Sequence, residues 1–398
     1  MAKHILNQDQ TAPWNIDESS DQWILARGTS VSTNSIAAIY ENQDQHDNTI
    51  VLNGSVSVNA SGQSSFHVIE IGGNNTDLII GAHGTVTGGQ SGISLFGTHQ
   101  TLTNHGVIDV GSQLGVHMYS DHATINNFGT IKAYTGIDSL GQSNTIVNQA
   151  GGEIKATGYG IFGSGDFNDT IINKGRVEGD YFAIQIDEGD DRVINHGKII
   201  GNVDLGAGND VFDTRGGKVN GTVAGGTGND TYLVSNAAVD IHENFLLGGT
   251  DTVKSTVSYA IKTSVENVTL LGHKDINASG NELANVLKGN NGDNILRGLA
   301  GADTLAGGDG NDRLFGGKGS DGFVFKTGAG HDTIADFNAD VGDWIDLGGM
   351  DAIRNHKDLV NHHLETDGDD LLITAGDDQI RIWNFDEADV KAGMFDFV

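Results

Sequence analysis

At 398 residues, with 59 glycines, one proline and no cysteine, the chain has room for one large or two to three ordinary domains; this composition excludes a disulfide framework, thiol chemistry and a collagen-like repeat. Its 53 acidic residues against 22 basic ones leave a net charge of −31, which repels nucleic acid and anionic membranes and excludes both as partners. No run of about 18 apolar residues is present, so no membrane-spanning helix is expected. Residues 1–20 lack the apolar stretch and cleavage site of a secretory signal peptide.

Residues 1–46 read as polar and irregular, and Pro13, Trp14, Trp23 and Ile24 are expected to pack as an N-terminal capping segment. From Asn48 a short motif recurs as NTIVLNG, DLIIGAHG, QTLTNHG, ATINNFG, NTIVNQAG, DTIINKG and DRVINHG, beginning at 48, 77, 100, 123, 144, 169 and 191. Each is followed by a second segment: SVSV, TVTG, VIDV, TIKA, EIKA, RVEG or KIIG. β-Branched residues alternating with period two predict strands, and a repeat of about 20–25 residues predicts a solenoid. The expected architecture over residues 47–222 is a right-handed parallel β-helix, with Ile50, Ile79, Leu102, Ile125, Ile146, Ile171 and Val193 stacked inside. Asn104, Asn127, Asn173 and Asn195 are expected to satisfy turn backbone and one another, a structural task and not a chemical one. These rungs are similar to the repeats of β-helical adhesins and haemagglutinin-like passengers.

At 205–212 and 225–233 the sequences LGAGNDVF and GGTGNDTYL bring a glycine-rich turn into the same spacing. The aspartates at 191, 210, 230 and 251 are therefore expected to form one column of a continuous solenoid. Asp210 and Asp230 are candidate cation ligands; the turn before Asp251 lacks one glycine.

Between 280 and 332 the repeat tightens to nine residues: GNELANVLK, GNNGDNILR, GLAGADTLA, GGDGNDRLF and GGKGSDGFV, then TGAGHDTI after a short insertion. The template is G-G-x-G-x-D-x-U-x, with U a large apolar residue. Glycine permits the positive-φ backbone of such a turn and lets carbonyls converge. The sixth residue supplies a carboxylate, and the eighth (Leu287, Leu296, Leu305, Leu314, Phe323) points inward from a short strand. Stacked turns of this kind offer hard oxygens only, which suits Ca²⁺ rather than Zn²⁺ or Cu²⁺. The candidate ligands are Asp303, Asp312, Asp321 and Asp332, with Asn285 and Asn294 offering an amide instead, and the turn glycines Gly301, Gly308, Gly310, Gly317 and Gly319.

This nonapeptide resembles the RTX (repeats-in-toxin) calcium-binding parallel β-roll. The resemblance implies a roll over residues 223–335, so the whole chain is expected to be all-β: a β-helix continuing into a calcium-binding β-roll. It also implies that alternate turns share an ion, pairing Asp303 with Asp321 and Asn294 with Asp312. The following IADFNADVGDWIDLGG is similar to the cap after the roll in serralysin-type metalloproteases. Residues 351–365 predict a short helix, and LLITA and QIRIWNF a hairpin. The terminal DVKAGMFDFV resembles a type I secretion signal, and equally fits a strand completing the cap. Residues 336–398 are thus expected to be a cap and secretion signal, with the type I machinery as a partner and an extracellular location.

Enzyme motifs are sparse. His242-Glu243 is followed by Asn-Phe-Leu-Leu, not by the second histidine a serralysin zinc site needs, and His362-His363 has no companion ligands. No G-x-S-x-G or phosphate loop is present. An acidic group (Asp187, Glu188, Asp190, Asp191) with Asp166 and Asp169 a rung away, and Lys132, Lys155, Arg176 and Arg192, are the material a polysaccharide-active groove would use. The alginate epimerase motif is absent, since Tyr159-Gly160 is followed by Ile161-Phe162-Gly163. Two readings stand: a calcium-binding solenoid for adhesion, surface coating or biofilm matrix that contacts extracellular polysaccharide or cell-surface glycan, and a polysaccharide lyase or epimerase.

Overall fold

The computed structural model describes residues 1–34, 37–59, 67–243, 248–262 and 264–397. The chain forms two compact units, Met1–Gly228 and Asn229–Val398. Each is a parallel β-solenoid.

In the first unit a rung holds three short strand segments. The first is built by Thr101–Asn104, Thr124–Asn127, Thr145–Asn148, Thr170–Asn173 and their counterparts, paired parallel and in register (Leu102↔Ile125, Ile125↔Ile146, Ile146↔Ile171). From Thr130–Ser139 to Lys198–Asp204 the second and third segments run as one strand, with a register shift at the bend between Ala133 and Thr135. Period-two alternation sends one residue of each pair inward. Ile50, Leu102, Ile125, Ile146, Ile171 and Val193 are buried in one stack, Val56, Val86, Ile108, Ile131 and Ile154 in a second, and Ile69, Ile93, Val116, Ile137 and Ile161 in a third. Each such side chain contributes roughly 1.5–3 kcal/mol when buried, so stability accumulates rung by rung.

Two expectations change. Leu78, not Ile79, completes the first stack, because the register places it against Ile50 and Leu102; in DLII both residues are apolar, and periodicity alone cannot choose between them. The N-terminal segment is not irregular. Lys3–Leu6 pairs with Gln22–Leu25, which pairs with Thr49–Leu52, and Trp23 enters the interior stack against Ile50. These strands escape a sequence reading because they are four residues long and lack the N-x-G signal.

The asparagines form a ladder. Asn104, Asn127, Asn148 and Asn173 each donate from Nδ2 to Oδ1 of the next, at 2.8–2.9 Å, ending on Asn195. All five are buried. Their Oδ1 atoms also accept from turn amides, as Gly106 N to Asn104 at 3.0 Å and Gly197 N to Asn195 at 3.1 Å. An amide both donates and accepts, so the column satisfies itself without charge.

In the second unit two sheets alternate along the chain. Val286–Lys288, Thr304–Ala306, Gly322–Lys326 and Trp344–Gly349 lie in one, and Ile295–Ala300, Arg313–Lys318 and His331–Ile334 in the other. Successive nonapeptides therefore fall on opposite sides, and alternate ones stack (Leu287↔Leu305, Leu305↔Phe323, Leu296↔Leu314). All five eighth-position residues are fully buried. The helix His356–His362, capped by Asn355, is followed by Leu364–Asp367, Asp370–Ala375 and Asp378–Ile382, antiparallel to one another. The first of these strands takes the end of the stretch read as helix. Phe395–Asp396 pairs with Trp344–Gly349 and completes the sheet. Among the described residues no helix is long and apolar enough to cross a membrane.

Candidate metal site

The turns of the second unit bring the sixth-position residues into two columns. In one, the amide of Asn285 donates to Asp303 Oδ1 (2.8 Å), that of Asp303 to Asp321 Oδ1 (2.9 Å), and that of Asp321 to Asp343 Oδ1 (2.9 Å). In the other, Asn294 N donates to Asp312 Oδ1 (2.7 Å) and Asp312 N to Asp332 Oδ1 (2.8 Å). Sequence neighbours are thus separated, while Asp303 and Asp321, like Asn294 and Asp312, come to adjacent rungs of one column. Asp230 lies in a further run, its amide donating to Asp251 Oδ1 (2.8 Å), and Asp251 N to Glu266 Oε2 (2.8 Å). Asp210 lies in the first unit, where its Oδ1 accepts from Asp191 N (2.7 Å).

One carboxylate oxygen of each residue ties the rungs. In Asp303, Asp312 and Asp321 the other is left over. Oδ2 of Asp303, Asp312 and Asp321 is buried with no hydrogen-bond partner among the described residues, and no Lys or Arg there pairs with these carboxylates. Each Oδ2 lies over the first glycine of its own turn: a Cβ added to Gly298, Gly307 or Gly316 would stand 2.0–2.4 Å from it. Gly301, Gly308, Gly310, Gly317 and Gly319 all have positive φ, between +100° and +143°. At Gly319 a Cβ would come within 1.6 Å of the Gly301 carbonyl oxygen of the rung below, so any side chain would force the turns apart.

These carboxyls are driven toward their neutral form. Burial, with the neighbouring Asp321, pushes Asp303 up to about 7; burial and the nearby Asp293 and Asp309 take Asp312 to about 7; burial and Asp312, Asp378 and Asp293 take Asp332 to about 8. Stacked like charges in a desolvated column need either protons or a cation. Unpartnered carboxylate oxygens, converging turn backbone and an all-oxygen donor set fit a hard divalent cation such as Ca²⁺.

Several acids of this system were not singled out from the sequence. Asp336 accepts from the amides of Gly316 (2.9 Å) and Gly317 (3.0 Å), Asp343 extends one column, and Asp378 accepts from Gly328 (2.8 Å) and Gly330 (2.9 Å). Asp343-Trp344-Ile345 and Asp378-Gln379-Ile380 carry the D-x-U triplet without the full set of turn glycines, Asp378 keeping only Gly376, and that triplet was the available signal.

The acidic group in the first unit divides. Asp187, Glu188 and Asp190 are exposed, whereas Asp191 is buried and pushed up to about 8 by desolvation and by Asp210 and Asp169. Lys132 and Lys155 are exposed neighbours on adjacent strands, and Arg176 pairs with Glu178 and Glu153. His362 is exposed and pairs with Asp358 at 3.0 Å. Asp240 pairs with His242 at 2.9 Å, and residues 244–247, which follow Glu243, lie outside the described residues.

No curated protein matches the sequence. Among solved structures, the chain is similar to the extracellular lipase LipA from Serratia marcescens at 16% identity and a TM-score of 0.25, over 64% of this chain and 45% of the lipase chain, so under half of the lipase's own length is spanned. Residues 288–323 match the RTX calcium-binding nonapeptide repeat in four copies. The chain therefore carries RTX repeats, and such repeats bind calcium ions.

Proposed function

We propose that this protein is an extracellular calcium-binding solenoid whose second unit folds when calcium enters its turns, and whose first unit presents a stable surface to extracellular polysaccharide or cell-surface glycan. Asp303, Asp312, Asp321 and Asp332 hold the ions with turn carbonyls of Gly301, Gly308, Gly310, Gly317 and Gly319; Asn285 and Asn294, lacking charge, form weaker positions, and Asp210 and Asp230 further ones. The observation that carries the reading is the pair of buried carboxylate columns, with three oxygens that have no hydrogen-bond partner and no pairing Lys or Arg among the described residues. Extracellular modules bind Ca²⁺ with dissociation constants of about 10⁻⁴–10⁻³ M. At ~1 mM calcium each such site adds roughly 0.4–1.4 kcal/mol, and at cytosolic calcium almost nothing. Several coupled sites then amount to a large part of the ~5–15 kcal/mol stability of an ordinary domain. A chain kept open inside the cell suits passage through a type I secretion channel, with residues 336–398 as signal and cap, and folding outside hinders its return.

The test is hydrogen exchange of the full chain in chelator and in millimolar calcium. Residues 286–382 are expected to lose protection in chelator while residues 101–200 keep it. Protection of the second unit that is indifferent to calcium would refute the switch. Asp312→Ala is expected to lower the calcium stoichiometry in calorimetric titration; unchanged stoichiometry and affinity would sink the ligand assignment.

A further inference from the structure

The third strand segment of the first unit carries an outward face unlike the rest of its surface. Register aligns Ser94 with His117, His117 with Asp138, and Asp138 with Phe162, on four successive rungs. Their chain neighbours Ile93, Val116, Ile137 and Ile161 fill the interior, so these four point away from it. Outward positions on a solenoid are ordinarily wet, yet Ser94 is 0%, His117 7% and Asp138 8% exposed. His117 Nε2 lies 3.2 Å from Asp138 Oδ2. Neither His117 Nε2 nor Asp138 Oδ1 has a hydrogen-bond partner among the described residues.

Aromatic rings stand on both sides of this polar floor. Phe96 stacks on Tyr119 with centroids 4.8 Å apart, and Tyr119 lies 4.1 Å from His117. Beyond Asp138, Tyr159 contacts Phe162 (5.4 Å), Tyr181 (5.8 Å) and Tyr134 (6.3 Å). Tyr119, Tyr134 and Tyr181 remain 37–58% exposed. Rings presented to solvent beside unsatisfied buried polar groups are the arrangement that recognises sugars: C–H faces of a pyranose lie on the rings, and its hydroxyls, each donor and acceptor, pair with carboxylate and imidazole.

We propose that this face, floored by His117 and Asp138 and flanked by Tyr119, Tyr159 and Tyr181, is a binding site for a neutral polysaccharide. The charge selects against polyanions. No Lys or Arg pairs with Asp138, or with Glu70 in register with Ser94 on the preceding rung, among the described residues, and the chain carries a net charge of −31. The stacking of equivalent positions on successive rungs suits a linear chain lying along the solenoid. Ser94, in the same column, is fully buried, its hydroxyl bonded to His67 Nδ1 at 2.7 Å and Ser91 Oγ at 3.1 Å, so it does not reach a bound glycan. The proposal rests on the extracellular reading above, because that is where such glycans are met.

The test uses the full chain in millimolar calcium, by affinity electrophoresis and calorimetry with hydroxyethylcellulose, laminarin and dextran as neutral probes and alginate as the polyanion. At least one neutral glycan is expected to bind, more tightly than alginate. Tyr119→Ala and Asp138→Asn are each expected to weaken it at least tenfold, while Tyr119→Phe, which keeps the ring, retains binding and guards against a folding artefact. Binding of none of the neutral probes, tighter binding of alginate, or wild-type affinity in both weakening variants would overturn the assignment. Calcium titration of the same samples separates the two readings: calcium bound without glycan sinks only this face, and glycan bound without calcium sinks only the metal assignment.

Discussion

The two units solve one problem with different side chains. In each, a residue at the strand entry accepts a hydrogen bond from the backbone of the preceding rung through one side-chain oxygen: Asn144 Oδ1 from Ala123 N at 2.8 Å in the first unit, Asp303 Oδ1 from Asn285 N at 2.8 Å in the second. In the first unit Asn144 spends its remaining group as a donor, to Ser139 Oγ at 3.0 Å and the Gly141 carbonyl at 3.0 Å, and the Asn104–Asn195 ladder is likewise closed. In the second, the carboxylate has no donor and leaves an oxygen and a charge behind. An amide column is self-sufficient; a carboxylate column is conditional on something positive. Under our reading the amide rungs are constitutive and the carboxylate rungs calcium-dependent, and the first unit passes from one to the other where Asn144 gives way to Asp169, Asp191 and Asp210 in the same column.

The largest effect should come from breaking the unconditional half. Ile146→Asp puts a charge into a fully packed stack and is expected to cost more than about 4 kcal/mol, unfolding the first unit in circular dichroism whatever the calcium level. Thr145→Asp, one residue out of phase and half-exposed, should stay folded. Equal damage from both would mean that the register is wrong.

Next in size is a substitution whose sign depends on the metal. Asp312→Asn keeps the Oδ1 acceptor that Asn294 N needs and removes the charge. In chelator it should stabilise the second unit; in ~1 mM calcium it should destabilise it by about 1–3 kcal/mol through the sites it would share. Thermal melts in both buffers read this directly, and the same sign in both would break the comparison.

The pH dependence sharpens it further. Without metal, Asp303 and Asp312 titrate at about 7 and Asp332 at about 8 in the folded state, above the usual 3.8. The folded chain then holds more protons than the unfolded one between pH 4 and 8, so stability in chelator is full below pH 4 and falls as pH rises through that window, by at most about 1.4 kcal/mol per pH unit per group. Calcium reverses the trend, because its ligands must be deprotonated. Denaturant melts at pH 5 and pH 8, with and without chelator, check both slopes.

The smallest effect belongs to the ladder. Asn148→Ala removes the ladder bonds to Asn127 Nδ2 and Asn173 Oδ1, which keep the Gly129 carbonyl (3.2 Å) and the Gly175 amide (3.2 Å). A loss of about 0.5–1.5 kcal/mol is expected, equal in chelator and in calcium. A calcium-dependent loss would show that the first unit is not independent of the metal.

The amino-acid sequence by itself determined the repeated strands and turns and the acidic columns that we propose hold the metal. A nine-residue turn tolerates glycine and aspartate only at fixed places, and its one inward residue must be large and apolar, so Asp303, Asp312, Asp321 and Leu305 can be read one residue at a time. What only the tertiary structure decided is which rungs lie side by side. Rung length in the first unit varies between 19 residues (Arg192↔Val211) and 30 residues (Ile39↔Ile69), so neither the choice of Leu78 over Ile79 nor the alignment of His117 with Asp138 follows from spacing. Asp343 and Asp378 reach the turns through strands that lack the full glycine signal, Asp378 keeping only Gly376. Stacking sets these neighbours through backbone pairing, which is indifferent to side-chain identity and so leaves little trace in the sequence.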